Sequence, residues 1–189
     1  YLHLSTEIAD PFTVSVYSGN ILIAETTISK GAPQFLFIPR ENIILSGYQI
    51  YDLFKPIQKG LHVVGSQRFF ANLRFGMINH AEIITSKGNA GLGTEFYTVV
   101  APNQQPDNSG QGFMASIIAT SDNTTLSIPK FNKDLTFTDG VKRSSINVTL
   151  NKGESYIIDG RSITSNNLDG FIGTKIISDK PISVTNGNF

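Results

Sequence analysis

Residues 148–158 read VTLNKGESYII, and residues 26–38 read TTISKGAPQFLFI. Each is an apolar run carrying threonines that stops at Lys-Gly and resumes as a second apolar run. Each follows an alternating stretch, FTVSVY from Phe12 and TTLSIP from Thr124. Each precedes a glycine-led stretch, GLHVVGSQRFFANL from Gly60 and GTKIISDKPISVTN from Gly173. One order of elements repeated at one scale implies a duplicated structural unit. The expected fold class is all-β: two tandem, related antiparallel β-sandwich units in a pseudo-duplication. The expected boundaries are 1–85 for a first, N-terminally truncated unit, 86–92 for a glycine-rich join, and 93–189 for the second unit.

Working outward, period-2 alternation recurs along the chain and is broken by Gly, Asn and Asp turns at intervals of about 8–12 residues, the pattern of a β-sandwich. The Lys30-Gly31 and Lys152-Gly153 turns are expected to close hairpins between antiparallel neighbours. Alternation also selects a core: Val14, Val16, Phe35, Phe37, Val63, Ile117, Leu126, Ile128, Tyr156, Ile158, Ile176 and Val184. Thr13, Ser15, Thr125 and Ser127 then face outward, because successive strand side chains point to opposite faces. Two stretches break the rhythm. Residues 42–59 are apolar yet irregular and are expected to hold a short helix, and residues 102–112 (PNQQPDNSGQG) form a polar loop.

The 189 residues contain 15 basic and 15 acidic side chains and no Cys or Trp. Zero net charge argues against a nucleic-acid footprint and against a polybasic membrane patch. No apolar run approaches the roughly 20 residues of a spanning helix, so neither nucleic acid nor direct membrane insertion is expected. Without Cys there is no disulfide framework and no thiolate metal site. The chain opens at Tyr1 on a strand-like run with no initiator Met, which reads as an internal fragment of a longer protein.

Motifs with chemistry attached fail their own structural tests. Gly88 to Gly93 (GNAGLG) precedes a strand-like run, whereas phosphate binding needs a helix N-terminus. Ser127 and Lys130 match S-x-x-K, but on a strand they fall on opposite faces. His3, His62 and His80 are scattered without metal-ligand spacing. Asp107, Asp122, Asp139 and Asp169 are the candidate Ca²⁺ ligands at a sandwich end, but loop Asp ordinarily serves turn chemistry. No cofactor and no catalytic residues are expected. Asn123-Thr124-Thr125 and Asn147-Val148-Thr149 are glycosylation sequons, with turn and strand-face roles as the plainer explanation.

Ala119 to Pro129 (ATSDNTTLSIP) resembles the A-T-E-D-N-T-T-V-x-I strand of the IgGFc-binding protein N-terminal domain. Gly173 to Asn188 (GTKIISDKPISVTNGN) resembles that family's G-T-x-I-x-S-D-K-P-I-A-V-x-S-G-N. His80 to Phe96 (HAEIITSKGNAGLGTEF) is similar to the T-S-K-G-x-A-x-L-G-x-x-F join found in large gliding-adhesin-like surface proteins of Bacteroidota. The resemblance implies a non-catalytic adhesive or interaction module of a larger cell-surface protein, extracellular, linked to gliding motility and exported by the type IX secretion system. The first copy departs from the pattern by lacking the S-D-K-P turn, and the cysteines of animal mucus members are missing. Binding of immunoglobulin Fc therefore does not carry over.

The implied partner is a protein or polysaccharide surface ligand, or neighbouring domains of the same chain. Loops on a rigid sandwich carry recognition without disturbing the core. The candidate interaction residues are Tyr48, Tyr51 and Phe54 in the irregular stretch and Gln104, Gln105, Asp107 and Asn108 in the polar loop. Two alternatives stand beside this reading: a structural spacer in a giant surface protein, and a carbohydrate-binding or hydrolase accessory domain. A row of aromatic side chains on one solvent face would favour the carbohydrate alternative.

Overall fold

The computed structural model describes residues 1–39, 50–77, 80–101, 112–132, 134–161 and 164–188. Apart from short 3₁₀ segments of three or four residues, the regular elements among them are strands, and all pairings are antiparallel. The chain divides into two compact units, Tyr1–Ile44 with Lys59–Gly91 and Leu45–Gln58 with Leu92–Phe189.

The first unit holds β1 (Leu2–Ser5), β2 (Phe12–Ser18), β3 (Ile21–Ile28), β4 (Gln34–Leu36), β5 (Leu61–Gly65), β6 (Phe70–Met77) and β7 (His80–Thr85). They form a sheet of order β3-β2-β5 and a sheet of order β4-β1-β6-β7. Leu2 and Leu4 from one sheet and Phe12, Val14 and Val16 from the other share one buried cluster, so the sheets face each other as a sandwich.

The second unit holds β8 (Gly93–Tyr97), β9 (Gly112–Ala119), β10 (Thr124–Ile128), β11 (Ile146–Leu150), β12 (Ser155–Arg161) and β13 (Lys175–Asn188). Here one strand serves both layers. The first part of β13 pairs with β10 and β8 through residues 175–178. The second part pairs with β9 from Ile182 onward. This gives β11-β10-β13 on one side and β13-β9-β12 on the other, with Ile117, Leu126, Ile128, Leu150, Ile158, Ile176 and Ile182 buried between them. A strand that bends from one layer into the next is a standard way to turn a sandwich corner.

Part of the strand order recurs in the two units, while β7 lies beside β6 in the first and β8 pairs with the first part of β13 in the second. β3-β2-β5 corresponds to β11-β10 and the first part of β13, and β4-β1-β6 corresponds to β12-β9 and the second part of β13. Registers correspond as well: Phe12 faces Ile28 where Thr124 faces Leu150, and Val14 faces Gly65 where Leu126 faces Ser178.

Two sequence expectations are corrected. The Lys-Gly turns do not close hairpins. β3 pairs with β2 while β4 pairs with β1, and β11 pairs with β10 while β12 pairs with β9. Each turn carries the chain across the core from one layer to the other. Gly31 and Gly153 both sit at φ +79°, and Ala32 N–H to Ser29 O (3.0 Å) and Glu154 N–H to Asn151 O (2.9 Å) close the two turns. That positive φ at the third turn position is where glycine costs nothing.

The second correction concerns β4. Leu2 pairs with Leu36 and His3 with Phe35, and paired residues share a face. Burial of Leu2 and Leu4 therefore turns Leu36 and Ile38 inward, while Phe35 and Phe37 are each 68% exposed. A one-residue shift moves a whole strand's side chains to the other face. Val14, Val16, Ile117, Leu126, Ile128, Tyr156, Ile158 and Ile176 are buried as expected, with Val63 and Val184 partly buried against the two cores.

The corrected register makes a differential prediction. Ile128→Ala should cost about 2–5 kcal/mol, while Phe37→Ala should stay within about 0.5 kcal/mol, as for an exposed position. Urea unfolding of both variants measures this. An equal loss in the two would put Phe37 back in the core.

Candidate functional site

Two of the stretches that carry the family resemblance, residues 119–129 and 173–188, meet at one end of the second unit. The bend in β13 at Asp179-Lys180-Pro181 interrupts its ladder, and side chains take over the pairing. Asp179 Oδ1 accepts the Thr125 N–H at 2.7 Å. Lys180 Nζ donates to the carbonyls of Asp122 (2.6 Å) and Asn123 (2.9 Å). Ser178 Oγ donates to Lys180 O at 2.7 Å, and Thr120 Oγ1 to Pro181 O at 2.5 Å. Asn123 turns at φ +52°, a conformation Asn tolerates better than most residues.

The Lys-Gly corner joins the same cluster. Asp122 Oδ1 accepts the Lys152 N–H (3.0 Å), Asn151 Oδ1 the Asn123 N–H (3.3 Å), and Glu154 Oε2 the Asn151 N–H (2.7 Å). These polar groups are spent on backbone partners. The cluster is a scaffold corner and holds no nucleophile–base pair of the kind that acyl transfer requires. The first unit keeps the plainest part of it: Thr6 Oγ1 donates to Arg68 O at 2.7 Å.

A perturbed carboxyl is the other feature that would mark a reactive site. Asp159 on β12 is fully buried. Desolvation pushes its pKa above the usual carboxylate value, opposed by the Thr138 hydroxyl hydrogen bond and by the charge of Arg161. Its Oδ2 has no hydrogen-bond partner among the described residues. Beside it, a Cβ on Gly160 would lie 2.3 Å from Phe113 Cζ. This carboxyl is sealed by packing, out of reach of a substrate.

Asp139 is pulled the other way. Burial raises its pKa, but the hydrogen bond and charge of Arg143 and the Val141 N–H together hold it below the usual value. Its carboxylate forms a two-point pair with Arg143. The Arg143 guanidinium lies 3.9 Å over the ring of Phe54. Among the described residues no three His, Cys, Asp or Glu side chains are grouped to hold a metal. Asp122 and Asp139 are engaged as above, and Asp169 is exposed.

The expected interaction residues separate. Tyr51, in a single 3₁₀ turn at Ile50–Asp52, is 70% exposed. Phe54 packs instead on the second core, with its ring centroid 5.3 Å from Phe137 and 6.5 Å from Tyr156. Residues 50–58 thus belong with the second unit, although they fall within the 1–85 span expected for the first. Tyr48, Gln104, Gln105, Asp107 and Asn108 lie outside the described residues.

The aromatic surface that the structure does present was missed in the sequence. It is the outward face of β4-β1-β6-β7. Exposed Tyr1, Phe35, Phe37 and Phe70 lie there, with Tyr1 5.7 Å from Phe37 and 6.2 Å from Phe35 between ring centroids. Ile83 on β7 continues it. QFLFI offers Phe-x-Phe and Leu-x-Ile alternations equally, so only the LHL run of the partner strand could have chosen between them.

A family model described as IgGFc binding protein matches residues 81–189, more than half of the chain. The match takes in β7 and all the strands of the second unit. No curated protein and no solved structure matches this chain.

Lys180→Met should lower stability by about 1–2 kcal/mol, the usual worth of hydrogen bonds from a charged donor at a half-exposed site. A denaturation midpoint unchanged from that of the parent would remove the corner from the scaffold. For Asp159 the folded pKa lies above the unfolded value, so its contribution to stability is greatest below the unfolded pKa. That contribution is lost as pH rises through the folded pKa. Asp159→Asn should therefore raise the melting temperature at pH 7 and flatten its rise on acidification towards pH 4. Parallel pH profiles for the two proteins would contradict this.

Proposed function

The chain belongs to the IgGFc-binding protein family, and from that membership we propose that it is an extracellular, non-catalytic adhesive module of a larger cell-surface protein. The proposed setting is a gliding-adhesin-like surface protein of Bacteroidota exported by the type IX secretion system, on the resemblance of residues 80–96 and 173–188. The proposed ligand class is a protein surface. Immunoglobulin Fc is not singled out, because the first copy departs from the family pattern.

The observation that carries the reading is the outward face of β4-β1-β6-β7, where Tyr1, Phe35, Phe37, Phe70 and Ile83 stand exposed on a hydrogen-bonded sheet. Aromatic side chains are enriched in protein interfaces, because they bring a large contact area at a small conformational cost. A rigid sheet holds them in place before the ligand arrives. The signature motifs support a binding role by building the scaffold rather than a reaction centre.

The same exposed aromatic row also favours a polysaccharide, as expected of it from the sequence, and a second observation keeps that reading beside the first. A depression of about 300 Å³ beside Phe35 is lined by His3, Ser5, Gln34 and Asn72. Amide and imidazole groups beside a ring can hydrogen-bond sugar hydroxyls while the ring stacks on a sugar face.

Beads carrying the chain, or its Phe35→Ser/Phe37→Ser/Phe70→Ser variant, can be flowed over protein-coated and glycan-coated surfaces. The parent should attach to the protein coat and the variant should not, with unchanged circular dichroism and melting. Attachment to the glycan coat alone, lost in the variant, would favour the polysaccharide. Undiminished attachment of the variant to both coats would remove this face from the function.

A further inference from the structure

Sheet edges in this chain are closed by different means. β4 is 3 residues long and follows Pro33, which has no N–H to offer a further strand. β12 is lined by residues 54–57: Ser155 N–H donates to Ile57 O at 2.9 Å, and Ile57 N–H donates back to Ser155 O at 3.0 Å. The first part of β13 is lined by β8.

β5 is the counterpart of that part of β13. Val14 faces Gly65 where Leu126 faces Ser178, so Leu61, His62, Val63 and Val64 stand where Thr174, Lys175, Ile176 and Ile177 stand in the second unit. Both strands are entered from a glycine at positive φ, Gly60 at +116° and Gly173 at +74°. In the second unit Phe96 faces Ile176, Glu95 faces Ile177, and Thr98 N–H donates to Thr174 O at 3.0 Å. Ile176 is fully buried, and Phe96 packs on the same core. Among the described residues no strand stands in that position beside β5. Val63 is only partly buried and Val64 is exposed.

The backbone of β5 points to the same side. Gly19 N–H donates to Gly60 O at 3.1 Å, one step beyond the Ser18–Leu61 pair. Bonded and non-bonded pairs alternate along an antiparallel ladder, so Leu61, Val63 and Gly65 turn their N–H and C=O groups away from β2. The strand reads LHVVG, with none of the Pro, Lys or acidic residues that discourage a further strand at an edge.

We propose that this side of β5 is an interaction surface for an extended segment of a partner protein, which adds to the β3-β2-β5 sheet as an antiparallel fourth strand, in the position that β8 takes in the second unit. The segment that fits carries an aromatic or large aliphatic side chain opposite Val63, turned to the core as Phe96 is. Its residues opposite His62 and Val64 face water. Main-chain bonds to Leu61, Val63 and Gly65 give affinity, and the inward side chain gives specificity. A strand that already belongs to a sheet has its apolar face committed to its own core, so β5 of a second copy does not supply that side chain. The edge belongs to a different sheet from Tyr1, Phe35 and Phe37, and its occupancy does not depend on what the aromatic face binds.

The probe is a synthetic peptide with the sequence of residues 92–101, LGTEFYTVVA, which carries the β8 pattern. The chain has no Cys, so Val64→Cys supplies a single thiol on an exposed side chain. In the β8 register a Glu95→Cys form of the peptide sets its own thiol directly opposite, with Cα atoms about 4.5–5.5 Å apart, within disulfide range. In a glutathione redox buffer the Val64→Cys chain should trap this peptide about tenfold more than a Thr13→Cys chain, because docking raises the effective concentration of the paired thiol. Thr13 is exposed on the neighbouring β2, away from the edge. A peptide that also carries Phe96→Pro should lose the excess, since Pro removes the inward ring and an N–H of the added strand. The unmodified peptide should raise the melting temperature of the parent chain, as a ligand of the folded state does. Equal trapping by the two variants, both melting as the parent does, overturns the proposal, and so does a parent melting temperature that the peptide leaves unchanged. Val64→Cys chains that cross-link to one another instead of to the peptide would make the edge a self-association surface and overturn it as well.

Discussion

The second unit depends on the break in β13. One strand of 14 residues hydrogen-bonds to β8 and β10 with its first part and to β9 with its second, so both layers of the sandwich hang from it. A ladder cannot turn a corner without leaving backbone groups unpaired, and unpaired groups at a packed corner are costly. Asp179, Lys180, Ser178 and Thr120 supply the missing partners. Pro181 sits at the bend, where a residue with no N–H leaves no donor unpaired. The first unit solves the same problem with two separate strands, β5 and β6, and a threonine latch.

This explains why residues that place the chain in its family read as a signature: their polar groups hold a scaffold corner together. D-N-T-T and S-D-K-P hold each other, and the N-K-G-E corner of the repeated pattern joins them. A fold does not dictate a function, which lives in sites grafted onto it. The features left over after the scaffold is accounted for are an aromatic sheet face and a strand edge, both in the first unit. Among the described residues neither assembles the pair of titratable groups that a proton-transfer site needs.

Phenylalanines show how context divides one residue type. Phe54, a candidate interaction residue by sequence, packs on the second core beneath Arg143. Phe35 and Phe37, core residues by alternation, stand in solvent. The local pattern could not separate these cases. The irregular stretch around Phe54 has no period to read, and β4 has two apolar periods of equal strength.

The sequence by itself determined the strand content, the positions of the turns and the core of the well-alternating strands, from Val14 and Val16 to Leu126, Ile128 and Ile176. It did so because a period of two and a glycine at a positive φ are local constraints, written within a few residues. It also carried the repeated order of elements, part of which recurs in the pairing of the strands beside each Lys-Gly corner. Tertiary structure alone decided which strands pair across each Lys-Gly corner, which face of β4 is buried, and which unit takes residues 50–58. Those outcomes turn on partners far away in the chain: Leu2 and Leu4 for β4, and Ser155, Ile157 and Phe137 for Phe54 and Ile57. A strand's inward face and an edge's occupant are properties of a pair of segments, and no single stretch of sequence contains both members.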